Sequence, residues 1–75
     1  MIFDEIKKVI SEQLEVEEDK ITMDTTFEEL GADSLDLFQV VIEIEEKYGI
    51  QLEDAESIKS VKDAVKFVEE AVKNK

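Results

Sequence analysis

The feature that most constrains this chain is the spacing of its apolar residues. They recur at three and four positions in separate stretches and nowhere alternate long enough to make a strand. In the first stretch Ile2, Phe3, Ile6, Val9, Ile10 and Leu14 share one face, which predicts a helix from about Ile2 to Leu14. The second helix is expected from about Ser34 to Tyr48, with Asp33 as N-cap and Gly49 as stop. The last begins after Ser60, which has Asp63 three residues on, close to a capping box. It carries Val61, Ala64, Val65, Val68, Ala71 and Val72 as one stripe. A striped helix must cover its apolar face against another element. The chain is therefore expected to be all-α, a small up-and-down bundle of three main helices plus one short helix. The short helix is weakly signalled around Asp54 to Ile58.

Between the first two helices lies a long connection, Glu15 to Asp33. Connections of this length are uncommon in small domains unless functional or pinned down. Val16, Ile21, Phe27 and Leu30 are the expected pins, and Thr26 with Glu29 has capping-box spacing for a single turn, Phe27 to Leu30, stopped by Gly31. There is no proline, no repeat and no Ser/Gly-rich linker, so residues 1–75 are expected to form one domain. A core this small leaves a thin margin of stability, because little surface is buried relative to chain entropy.

Composition narrows the function. The net charge of −12 repels nucleic acid and anionic lipid and attracts basic surfaces, an attraction that salt weakens. A surface that is merely solubilising is the plainer alternative. No apolar run approaches a membrane span, and MIFDEIKKVI lacks the layout of a signal peptide, so a cytoplasmic location without membrane insertion is expected. The chain has no cysteine and no histidine. Disulfides and thiolate sites are excluded, and a metal would have carboxylates alone, so no metal site is expected.

The second helix carries more apolar surface than one packed face requires. At about 100° per residue, Leu37, Val40, Val41, Ile44 and Tyr48 gather in one sector. Leu35, Phe38 and Ile42 form a second, narrower stripe, separated from the first by Glu45 on one side and by Asp36, Gln39, Glu43 and Glu46 on the other. Either this helix is central and buried on two sides, or the second stripe is an exposed docking strip rimmed with carboxylates. The docking reading is favoured, because the strip starts one residue after Ser34 and its polar neighbours are nearly all acids.

Ser34 stands in LGADSLD, between Asp33 and Asp36. A serine hydroxyl needs a base to become a nucleophile, and the usual partner, histidine, is missing. The nearest lysines in sequence are Lys20 and Lys47, and no nucleophile-elbow glycines or strand are present. An enzyme is not expected. Ser34 could simply cap the helix. Asp33 already supplies a cap, however, and a serine exposed beside a docking strip can be modified by another protein's active site. A phosphoester there would meet the positive end of the helix dipole, while the flanking acids would oppose it.

LGADSLD, followed by an acid-rich helix ending in EIEEKYGI, resembles an acyl carrier protein of the stand-alone bacterial fatty acid synthesis type. IKKVISEQLEVEEDKIT is similar to that family's first helix and loop, and SIKSVKDAVKFVEEA to its last helix. The resemblance implies that Ser34 carries a 4′-phosphopantetheine arm installed from coenzyme A by a phosphopantetheinyl transferase, with acyl groups held as thioesters on the arm's thiol. It also implies that Asp33, Leu35, Asp36, Phe38, Ile42, Glu43, Glu45 and Glu46 form the recognition surface for basic patches on ketosynthases, acyltransferases, reductases and dehydratases. The bundle interior, including Val40 and Ile44, would shelter the acyl chain, and a monomer is expected. The chain departs from the family pattern at Glu15, where glycine is common, at Phe38 and Gln39, and in a short Gly49–Ile58 segment without proline. A specialised carrier for a polyketide, aminoacyl or lipid-modification pathway is the alternative. An acidic docking module without a prosthetic group, Ser34 being only a helix cap, is the alternative of another class.

Overall fold

The computed structural model describes residues 1–52 and 55–73. Its helices are α1 (Ile2–Leu14), α2 (Ser34–Tyr48) and α3 (Val61–Lys73). A 3-10 turn at Glu18–Lys20 interrupts the first connection, and another at Ala55–Ser57 the second. The bounds of α1 and α2 are those the apolar spacing predicts. The expected short helix is realised as the single turn at Ala55–Ser57, and Asp54 lies outside the described residues.

Helix α1 packs against both α2 and α3. Ile6 and Ile10 on α1, Val40 and Ile44 on α2, and Val61 and Val68 on α3 are all fully buried. The element shared by the other two helices is therefore α1. Among the described residues no helix covers the side of α2 that carries Leu35, Phe38 and Ile42, which all stay exposed, and this excludes the reading in which α2 is buried on two sides. The α3 stripe outlasts the core, since Val72 in the last turn is 39% exposed.

The long connection is pinned by backbone as well as by side chains. Ile21 and Phe27 are buried, whereas Val16 and Leu30 are only partly so. Phe27 N–H donates to the Lys59 carbonyl at 3.0 Å, Val61 N–H to Thr25 at 2.9 Å and Lys62 N–H to Met23 at 3.0 Å. Thr26 and Ser60 form an isolated antiparallel bridge. Buried amides of the loop thus find partners at the entry to α3 rather than in a regular element. Thr25, which apolar spacing could not flag, is also buried, and its hydroxyl accepts the Thr22 N–H at 2.9 Å. The Thr26–Glu29 pair forms a reciprocal box, with both backbone-to-side-chain distances at 3.1 Å. The turn it opens is a tight one, closed by Leu30 N–H to Phe27 and Gly31 N–H to Glu28, with Gly31 at φ +76°.

The helix ends follow capping chemistry. Ser60 Oγ accepts the Asp63 N–H at 3.3 Å, and Asp63 Oδ2 accepts the N–H groups of Lys59 and Ser60 at 3.1 and 3.2 Å. The Lys59 amide in particular holds the Asp63 carboxyl below its ordinary range, with Ser60 contributing. Helix α2 ends on Gly49 in the left-handed region, at φ +66°. Helix α1 ends in the same region on Glu15, at φ +55°, without a glycine. Tyr48, expected to face the core, is half-buried, and its hydroxyl reaches across to donate to Glu5 at 2.5 Å. This bond holds the Glu5 carboxyl below its ordinary range, while burial, with Glu5 adding to it, pushes the Tyr48 hydroxyl up.

Candidate functional site

The site is built at the start of α2. Asp33 Oδ1 accepts the Asp36 N–H at 3.0 Å, and Asp36 Oδ2 accepts the Asp33 N–H at 3.3 Å. The two aspartates thus form a reciprocal capping box around the first turn. Asp36, expected on the recognition surface, therefore also takes part in the cap. The signal for its second role was the three-residue spacing between them. With the cap position taken by Asp33, Ser34 is the first helical residue. Its side chain is exposed, and its hydroxyl makes no hydrogen bond among the described residues. The reading of Ser34 as the cap therefore fails on geometry.

Ser34 opens onto a groove of about 590 Å3 whose walls include Phe27, Leu37, Ile58 and Lys59. The groove runs between the start of α2, the end of the long connection and the segment entering α3. It exists because the Phe27–Lys59 and Thr25–Val61 backbone bonds bring those segments together.

The outer face of α2 carries the apolar strip that the helical arithmetic predicts. Leu35 is 74% exposed, Phe38 48% and Ile42 43%. Beside it a second groove, of about 360 Å3, is lined by Phe38, Val41, Ile42, Glu45, Leu52 and Ala55 together with Glu56. The acids around the strip differ in their surroundings. Glu45 is only partly exposed, and one of its oxygens accepts the Leu52 N–H at 2.7 Å. Glu43 and Glu46 are exposed, but they border a hollow toward α1 with Glu12, Lys8 and Lys47, where two ammoniums offset part of the charge of three carboxylates. Val40 and Ile44 are each 1% exposed, and neither lines any of these three hollows. No helix among the described residues is long and apolar enough to cross a membrane.

Comparison with known proteins identifies the family. The domain family described as "Phosphopantetheine attachment site" matches residues 4–68. A protein of Streptococcus pyogenes serotype M1 named "Acyl carrier protein" is 44% identical over 72 residues, which is 96% of this chain and 97% of the relative. One of the same name from Streptococcus pneumoniae serotype 4 is 43% identical over the same shares. Another, from Lactococcus lactis subsp. cremoris, is 40% identical over 91% of this chain and 93% of its own length. The compact three-helix bundle, the match to the attachment domain and this near full-length similarity together show that the chain belongs to the acyl carrier protein family, whose domain is the attachment site for phosphopantetheine.

Proposed function

We propose that the chain carries acyl intermediates as thioesters on a 4′-phosphopantetheine arm attached to Ser34, and delivers them to enzymes of fatty acid synthesis. The observation that carries this reading is the exposed Ser34 hydroxyl, which has no hydrogen-bond partner among the described residues because Asp33 and Asp36 cap the helix between themselves. The fit of the group is supported by the groove of about 590 Å3 on which that hydroxyl opens. Ser34 Oγ attacks the pyrophosphate of coenzyme A in the active site of a phosphopantetheinyl transferase. Its proton passes to a base of that enzyme and 3′,5′-ADP leaves, so this chain needs no histidine of its own. When bound, the arm supplies the terminal thiol that this cysteine-free chain lacks.

Leu35, Phe38 and Ile42 form the apolar centre of the docking surface, and Asp33, Asp36, Glu43, Glu45 and Glu46 its acidic rim. Ketosynthases, acyltransferases, reductases and dehydratases with basic patches are the partners this chemistry suits. Val40 and Ile44 would part to admit the acyl chain. The groove lined by Val41, Leu52 and Ala55 supports entry from the side of α2 that α1 leaves uncovered. Residues 1–75 act as a single, monomeric carrier domain in the cytoplasm, without catalytic activity of their own.

Intact mass after incubation with a phosphopantetheinyl transferase and coenzyme A tests the reading. One arm is expected on the wild-type chain and none on Ser34→Ala. No gain in wild type, or an equal gain in the variant, overturns it. Loading the arm with malonyl against aminoacyl donors then separates fatty acid synthesis from a specialised pathway.

A further inference from the structure

The groove beside Ser34 has an uneven charge. Glu28, Asp33 and Glu56 line it, and among the described residues Lys59 is its single cation. Lys59 makes no ion pair among the described residues, where the salt bridges gather around Asp4. Its backbone is held at both ends, the N–H by Asp63 Oδ2 at 3.1 Å and the carbonyl by Phe27 N–H at 3.0 Å. An otherwise uncommitted ammonium thus hangs from a fixed point on the groove that Ser34 opens into.

A phosphodiester on Ser34 adds a negative charge next to Asp33 and Asp36, in a chain already at −12. Like charges at this spacing oppose one another, and the capping box keeps both carboxylates in place. We propose that Lys59 is a positioning residue for the arm: its ammonium pairs with the phosphodiester at Ser34 and biases the arm to lie in the groove between α2 and the entry to α3. This rests on the assignment of the arm to Ser34. The groove suits such an occupant, because Phe27, Leu37 and Ile58 offer apolar wall between polar ends to a narrow chain of methylene and amide groups.

The absence of cysteine makes the test clean, since the arm's thiol is the sole thiol of the loaded protein. A nitroxide maleimide on that thiol, read by paramagnetic broadening of backbone amides, maps where the arm lies. In the wild type, broadening is expected to concentrate on Phe27, Glu28 and Ile58. In Lys59→Gln it should fall there by about twofold or more, the population change that an exposed ion pair supports. Lys59→Arg should restore it, and raised salt should reproduce the loss in the wild type without any substitution. A broadening map identical in wild type and Lys59→Gln, and unmoved by salt, overturns the inference while leaving Ser34 as the attachment point. A chain that gains no arm by mass overturns both.

Discussion

The carboxylate of Glu45 accepts the backbone N–H of Leu52 at 2.7 Å. Glu45 belongs to α2, and Leu52, 7% exposed, belongs to the segment that leads to the 3-10 turn at Ala55–Ser57. One oxygen on the rim of the docking strip therefore also holds the wall of the adjacent groove. Removing it leaves a part-buried amide unpaired, which costs about 1–2 kcal/mol. Glu45→Ala should lose that much in chemical denaturation, whereas Glu45→Gln, whose amide oxygen can still accept, should lose less. An alanine variant as stable as the wild type would mean that the Leu52 amide finds another partner.

Phe38 presents nearly half its surface to solvent, at 48%. Truncation should therefore harm association more than folding. For Phe38→Ala, affinity for a ketosynthase or acyltransferase partner is expected to fall about tenfold, the scale of a central apolar anchor, while folding stability changes by about 1 kcal/mol or less. A large drop in thermal midpoint with binding intact would place Phe38 in the core.

Glu15 closes α1 at φ +55° and ψ +45°, a conformation that side chains with a Cβ adopt at a cost. Glycine removes that strain but makes the unfolded chain more flexible. Glu15→Gly should stabilise the protein by about 0.5–1 kcal/mol, seen as a higher denaturation midpoint. A loss of stability would show that the Glu15 side chain makes a compensating interaction in solution.

The titrating groups predict stability that falls off at both ends of the pH scale. Asp63 and Glu5 are held below their ordinary range when folded, so their contribution is present above the unfolded value and lost as pH falls through the lowered one. Tyr48 is shifted up, so the unfolded chain ionises first and stability falls as pH rises above about 10. Protonating the other carboxylates relieves self-repulsion and works the opposite way, so the comparison has to be made against variants. The midpoint gap between wild type and Asp63→Asn should close below about pH 4, and the gap to Tyr48→Phe above about pH 10. Gaps that stay constant with pH would mean that these charges are not coupled to folding.

Much of the site was legible because it is local. A capping aspartate, a stop glycine and apolar residues at helical spacing act within one or two turns, so α2 and its exposed strip could be placed from the order of residues. The box between Asp33 and Asp36 is equally local, marked by their three-residue spacing. Thr25, the bridge between Thr26 and Ser60, and the Glu45–Leu52 and Tyr48–Glu5 bonds were not. Each joins groups brought together by chain reversal, and no periodicity marks a partner on another segment.

Taken alone, the sequence determined three amphipathic helices, an acidic surface and a serine without a base at the mouth of the second helix, because local hydrogen bonding and side-chain periodicity are written in neighbouring residues. Which helix the other two share was decided only by tertiary packing. With α1 against both α2 and α3, one face of α2 stays open and the entry to α3 is drawn beside Ser34, because burying three apolar stripes together fixes relations that no single stripe contains.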